Sequence, residues 1–182
     1  MNQNIIKFLN DMIPVLTGVL LALWINNWNE NRKNTNYINQ ISSSISKELK
    51  ETNEDIIKEL SFQKRLIDSL SFYRTNERIS IFDIMMKVDG IHLPNIKMNS
   101  WKAISRSKIE LLEYDKVSIL TSIEEQKELL KSKAELLINF LYPNIKETGV
   151  DQKELIFLMM KDIIVTEKSI QKDIQTLNLD NK

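Results

Sequence analysis

Residues 11–30 read DMIPVLTGVLLALWINNWNE, and the medium that surrounds this stretch decides how the rest of the chain is organised. From Met12 to Ile25 it carries no charge, with Thr17 as its polar interruption. Length alone leaves such a run ambiguous. Spanning helices need about 20 apolar residues, and shorter runs serve as core helices or signal-peptide centres. The flanks decide the reading. Trp24 and Trp28 stand four apart, on one side of a helix, where an interfacial aromatic belt would put them. Met12 to Trp28 makes about 25 Å of helix. Ile5, Ile6, Phe8 and Leu9 extend its apolar part, with Lys7 reaching back to the headgroups. Asp11 is expected to cap the helix, which puts Pro14 in the first turn, where a missing N–H costs little. Gly18 and Ala22 form a small-xxx-small pair, and Asn26 continues their stripe, so two such helices can approach closely along it. The bulky Leu23, Trp24 and Ile25 offer no small-residue cleavage site. The expectation is an uncleaved signal anchor, and the rival reading is a buried N-terminal helix of a water-soluble protein.

The run INNWNENRK, Ile25 to Lys33, follows GVLLAL. Together they resemble the N-terminal signature of a family of small, uncharacterised bacterial membrane proteins typical of Bacteroidota. That signature has an acidic residue seven before a glycine, then G-I-L-I-A-L, one variable residue, and I-N-N-W-N-E. Here the acid is Asp11, the glycine Gly18 and the variable position Trp24. Pro14 and Thr17 depart from the usual aliphatic run, and the family's strongly basic N-terminus is absent. Ser100 to Ser107 (SWKAISRS) and Glu113 to Gln126 resemble its downstream pattern of a Trp-led helix and a helix after an acidic-aromatic turn. The resemblance implies a membrane anchor, a helical domain in the periplasm, and no known reaction. Arg32 and Lys33 after the run, against Lys7 before it, point instead to a cytoplasmic domain. That charge difference is small, so the expectation is an inner-membrane protein with a periplasmic domain.

Composition narrows the rest. The 25 basic and 25 acidic residues cancel among 182, so nothing suggests a nucleic-acid partner. Three Gly and three Pro can build few turns, which favours long helices. The absence of cysteine excludes disulfides, thiolate chemistry and Cys-based zinc sites.

Behind the anchor, Ile38, Ile41, Ile45, Leu49, Ile56, Leu60, Ile67 and Leu70 mark one helical face, so the anchor is expected to continue into a coiled-coil-like stalk ending near Tyr73. Glu54 and Lys58 form a favourable (i, i+4) pair. Asn53 and Gln63 interrupt the stripe, either as register-setting polar residues or at an exposed edge. Arg74 to Glu77 reads as a turn. Ser80 and Asp83 read as a capping box, and Gly90 as the stop of a short helix carrying Ile81, Ile84, Met85 and Val88. Ile91 to Met98 is irregular. Asn99 or Ser100 is expected to cap a third short helix holding Trp101 and Ile104. Asp115 opens a long helix with Val117, Leu120, Ile123, Leu130, Ala134, Leu137 and Leu141, which Pro143 ends. Asp151 and Glu154 open the last, with Ile156, Met159, Ile163, Ile170, Ile174 and Leu177. The fold expected is all-α: residues 1–33 as membrane anchor and flank, and residues 34–182 as an antiparallel helical bundle.

Motifs for catalysis are missing. His92 is the only histidine, in a loop, with no second imidazole or thiol for a metal. Phosphate-binding and dinucleotide-binding glycine motifs and a nucleophile elbow are absent. Glu51, Glu54 and Asp55, and Glu124 with Glu125, read as solvated faces, because bundle di-metal sites need Glu-x-x-His pairs. Met85, Met86, Met159 and Met160 read as core filling before an adaptable binding surface. Trp101 reads as a core anchor or, alternatively, a partner-binding residue. The functional expectation is a non-enzymatic, single-pass membrane protein without cofactor, metal or small-molecule substrate. Its partners would be the lipid bilayer and either further copies of itself or an envelope protein, for which it serves as scaffold, sensor-like module or accessory subunit. The rivals are a membrane-active effector that oligomerises through its anchor, and an enzyme with a minimal site around His92.

Overall fold

A computed structural model describes the backbone of residues 3–179 and the side chains of residues 12–177. Among these the chain is all-α, without strands. The helices are α1 (Gln3–Phe72), α2 (Ile81–Lys87), α3 (Asn99–Ser105), α4 (Tyr114–Asn144) and α5 (Val150–Leu179), with a 3₁₀ turn at Ile109–Leu111. The chain divides into two units, Met1–Ser43 and Ser44–Lys182.

The first unit is a stretch of α1. Two expectations fail here, for one reason: the helix starts at Gln3. Asp11 is interior to it and is no N-cap, and its side chain lies outside the described residues. Pro14 is likewise interior rather than in the first turn, so the carbonyl four residues before it lacks its helical donor. Thr17 Oγ donates to the carbonyl of Ile13 at 2.8 Å. The large apolar side chains from Met12 to Trp28 are exposed around the whole circumference, up to 66 % for Val15, Leu20 and Trp24. No helix among the described residues is long and apolar enough to cross a membrane.

The second unit has a continuous core, and its helices are patterned with unusual regularity. On α1 the buried positions are Ile45, Leu49, Thr52, Ile56, Glu59, Gln63, Leu66 and Leu70. They alternate steps of four and three without a break, the spacing that keeps one seam facing its neighbours. On α5 the buried series is Lys153, Ile156, Met160, Ile163, Glu167, Ile170, Ile174 and Leu177, in alternating steps of three and four. Leu66 and Met160 thus replace the expected Ile67 and Met159. Helix α4 packs on α5 and buries Leu120, Ile123, Leu130, Leu137 and Leu141. Each seam of α1 and α5 contains polar members: Thr52, Glu59 and Gln63 on α1, Lys153 and Glu167 on α5.

The connections follow their local chemistry. The ammonium of Lys153, wholly buried, donates to the carbonyls of Tyr73 (3.1 Å) and Asn76 (2.8 Å), adding a charged donor to turn carbonyls past the end of α1 that also accept the N–H groups of Asn76 and Ile79. Burial pushes its pKa down, against a smaller upward pull from Glu77. Ser80 and Asp83 form the expected capping box of α2. The first amides of α2, at Ile81 and Phe82, donate to the carbonyls of Glu147 and Ile145 just past α4, so two helix ends satisfy each other. After α2, Asp89 (φ 64°) and Gly90 (φ 87°) adopt the left-handed region, and Gly90 N–H closes onto the carbonyl of Met85. Pro143 sits in the last turn of α4, one residue before its end. Helix α4 itself opens at Tyr114, with Glu113 as N-cap. Glu154 is paired with Arg74 at 3.0 Å, rather than reaching back to complete a box with Asp151.

Candidate functional site

The irregular segment 91–98, here called the strap, lies along one face of α1 and is held there by side chains spaced at helical intervals. Read down the strap, the partners run up α1 in reverse order. The carbonyl of His92 accepts from Gln63 Nε2 at 2.9 Å, and its Nδ1 meets Glu59 Oε2 at 2.9 Å. Asn95 N–H donates to Asp55 at 2.7 Å and Lys97 N–H to Thr52 Oγ at 2.9 Å. Lys97 Nζ pairs with Glu51 at 2.7 Å. Just beyond, Ser100 donates to Glu48 through both N–H (3.0 Å) and Oγ (3.1 Å). The match has a geometric cause. Alternate N–H groups of an extended chain point the same way, roughly 6.7 Å apart, and three to four helical residues rise about 4.5–6 Å. Acceptors three positions apart on α1, Asp55 and Thr52, therefore receive the strap N–H groups of Asn95 and Lys97, two apart, and Ser100, already in α3, meets Glu48 one turn further along.

Glu48 also corrects the expected cap of α3. Neither Asn99 nor Ser100 caps that helix. Its N-cap is Met98, which makes no side-chain bond, and the carboxylate from α1 supplies the missing acceptor. Glu51 and Asp55, expected to be solvated, are tied to the strap, and Glu124 accepts from the indole N–H of Trp101 at 2.7 Å. Lys58 turns to its neighbour Glu59 at 2.8 Å rather than to Glu54, which instead lies 3.9 Å from Lys50.

At the upper end of the strap the contacts enter the core. His92 stacks on Phe62, with centroids 4.2 Å apart and planes 13° from parallel, and Arg65 lies over the same Phe ring. Its Nε2 lies 3.0 Å from the carbonyl of Asp89, which the left-handed turn presents. Glu59 is held below the usual carboxylate range, first by Lys58 and then by His92, against the opposing effect of its burial. Gln63 divides its amide between two acceptors, the His92 carbonyl and Glu167 Oε1 at 2.7 Å. Glu167 has no exposed surface and no cation beside it. Burial raises its pKa from 4.5 to about 7, with repulsion from Glu59 adding to the rise and the Gln63 bond opposing it. Gln63 Oε1 and Glu167 Oε2 are both buried without a hydrogen-bond partner. Two carboxyl groups, an imidazole and a carboxamide thus form a connected chain from strap to α5. Among the described residues, no group of three or more His, Cys, Asp or Glu is arranged to hold a metal ion.

The structure separates the residues singled out from the sequence. Pro14, Gly18, Ala22, Trp24, Asn26 and Trp28 are all exposed on the first unit, and a Cβ added at Gly18 would meet nothing within 4 Å. Trp101 is 2 % exposed and has its N–H satisfied, so as placed it is core and offers no surface to a partner. His92 belongs to the polar chain just described. Its companions Glu59, Gln63 and Glu167 were not identified as a group from sequence. The available signal is that each occupies a seam position in series where Ile, Leu and Met predominate. Comparison of the chain with protein-family models, curated proteins and solved structures gives no match.

Proposed function

We propose that the protein is a non-enzymatic, single-pass membrane-anchored protein of the bacterial envelope. In this reading its antiparallel helical bundle serves as a scaffold, sensor-like module or accessory subunit. One observation carries it: the large apolar side chains from Met12 to Trp28 are exposed all round the helix. Leaving that surface in water would cost on the order of 20 kcal/mol, at about 1.5–3 kcal/mol for each side chain. Lipid is the medium that removes this cost without a protein partner. The described part of the helix falls short of a span, and the reading adds to it Ile5, Ile6, Phe8 and Leu9, which the sequence places immediately before. Interior Pro14 is compatible, since proline is frequent in membrane helices. The resemblance of Ile25 to Lys33 to the Bacteroidota family supports the same assignment and a periplasmic placement. Fractionation tests it. The full chain should stay with membranes through carbonate washing and leave only in detergent. Recovery of a monodisperse, folded chain in the wash would overturn the proposal.

A second reading follows from the open space around Gly18. Association of anchors through Gly18, Ala22 and Asn26 would give a homo-oligomer, and in its strongest form a membrane-active effector. Ion leakage from vesicles carrying the full chain, lost in Gly18→Leu, would support this form; intact vesicles would refute it.

A further inference from the structure

We propose that the strap is a proton-gated flap, closed on α1 while Glu167 is neutral and opening when that proton is lost. The inference concerns the second unit alone and does not depend on where the N-terminal helix lies. It starts from hydrogen-bond accounting. Gln63 has two N–H groups, and both are used, one on the His92 carbonyl and one on Glu167 Oε1. What remains is Gln63 Oε1 and Glu167 Oε2, two buried atoms without partners. With Glu167 ionised, both are acceptors and no donor is left for either. A proton on Glu167 makes one of them a donor. The neutral acid is therefore the form this geometry fits, and the buried anion is the form it penalises.

The surrounding charges do not rescue the anion. From α1 the facing ionisable groups are Glu59, which repels it, and Lys58, which is engaged by Glu59. From the strap comes His92, whose ring nitrogens are taken by Glu59 and the Asp89 carbonyl. From α4 comes Lys133, which is engaged by Asp162 and Thr166. On ionisation the carboxylate needs a second donor or water. The helices around it are held along their length by seams in which apolar residues predominate. The strap has no internal backbone ladder; Ile96 and Met98 pin its lower part in the core, while its upper end at His92 is half-buried and tied by separate hydrogen bonds and one ring stack. If the His92 carbonyl lifts away, it returns an N–H of Gln63 to the carboxylate and admits water. Leu93 and Pro94 of the strap also wall a groove of about 250 Å³ against Leu130 and Ala134 of α4, so opening reshapes that groove.

The test is amide hydrogen exchange on the full chain in detergent micelles between pH 5.5 and 8.5, corrected for the intrinsic rate, with α4 as internal reference. Protection of peptides covering 91–100 should fall about tenfold across this range while α4 is unchanged, and Glu167→Gln should abolish the dependence. Flat protection in the unsubstituted protein, or an undiminished fall in Glu167→Gln, would overturn the proposal. Should that variant not fold, the ¹³C carboxyl titration of Glu167 in the unsubstituted chain decides. A midpoint coinciding with the loss of protection supports the flap, and a midpoint below about 5 rejects it.

Discussion

Replacing Glu167 by Gln should stabilise the protein at alkaline pH and not at acid pH, and the size of the change follows from its surroundings. In the folded chain the carboxyl holds its proton up to about pH 7, against an ordinary value of 4.5. Between those values the folded state binds more protons than the unfolded one, so stability declines as pH rises. The full difference corresponds to about 3 kcal/mol, of which about 2–3 kcal/mol falls between pH 5 and pH 8. Gln cannot titrate, and it keeps a polar group of the same shape opposite Gln63. Urea unfolding of both proteins at pH 5, 6, 7 and 8 measures the effect. The difference between the two curves isolates Glu167, because every other titrating group is shared. It should shift toward the variant by about 2–3 kcal/mol on going from pH 5 to pH 8. Relief of the charge by an opening strap would flatten the upper part of that curve. A difference that stays constant with pH, or shifts toward the unsubstituted protein, would refute the argument from burial.

Three further outcomes are expected. Lys153→Met should cost about 2–4 kcal/mol near neutral pH, because it strips the Tyr73 and Asn76 carbonyls of a charged donor; an unchanged urea midpoint would show that those carbonyls are satisfied otherwise. Glu48→Ala removes the acceptor at the start of α3 and should lower stability by about 1 kcal/mol, with faster exchange at Ser100 as the local readout. Gly18→Leu should reduce crosslinked dimer in membranes if anchors associate through that face, and an unaltered dimer yield would dispose of the second reading.

Much of the helical plan was legible because it is written locally. The turn after Tyr73, the Ser80–Asp83 box, the Gly90 stop and the near-complete absence of breakers all act within a few residues. The seams were read less well. Stepping through apolar residues alone selects Leu60 and Ile67, whereas the buried series runs through Glu59, Gln63 and Leu66. A strict search for hydrophobic periodicity discards the polar members of a seam, and here those members build the site. Their partners lie 104 residues apart for Gln63 with Glu167 and 33 for His92 with Glu59, so no local window contains them. Asp11 and Pro14 were misplaced for the opposite reason. Each has a strong local preference for a helix start, and the helix continues upstream through both.

Three contacts with α1 run through main-chain N–H groups: those of Asn95, Lys97 and Ser100 meet the side chains of Asp55, Thr52 and Glu48. Exchanging the side chains at 95 or 100 leaves those three contacts available. Adding or deleting a single residue between 95 and 97 does not, since in the extended strap the Lys97 amide would then turn its back on the helix. Drift in spelling should therefore gather at 95 and 100, with Ile96 and Met98 kept apolar and the count of letters fixed.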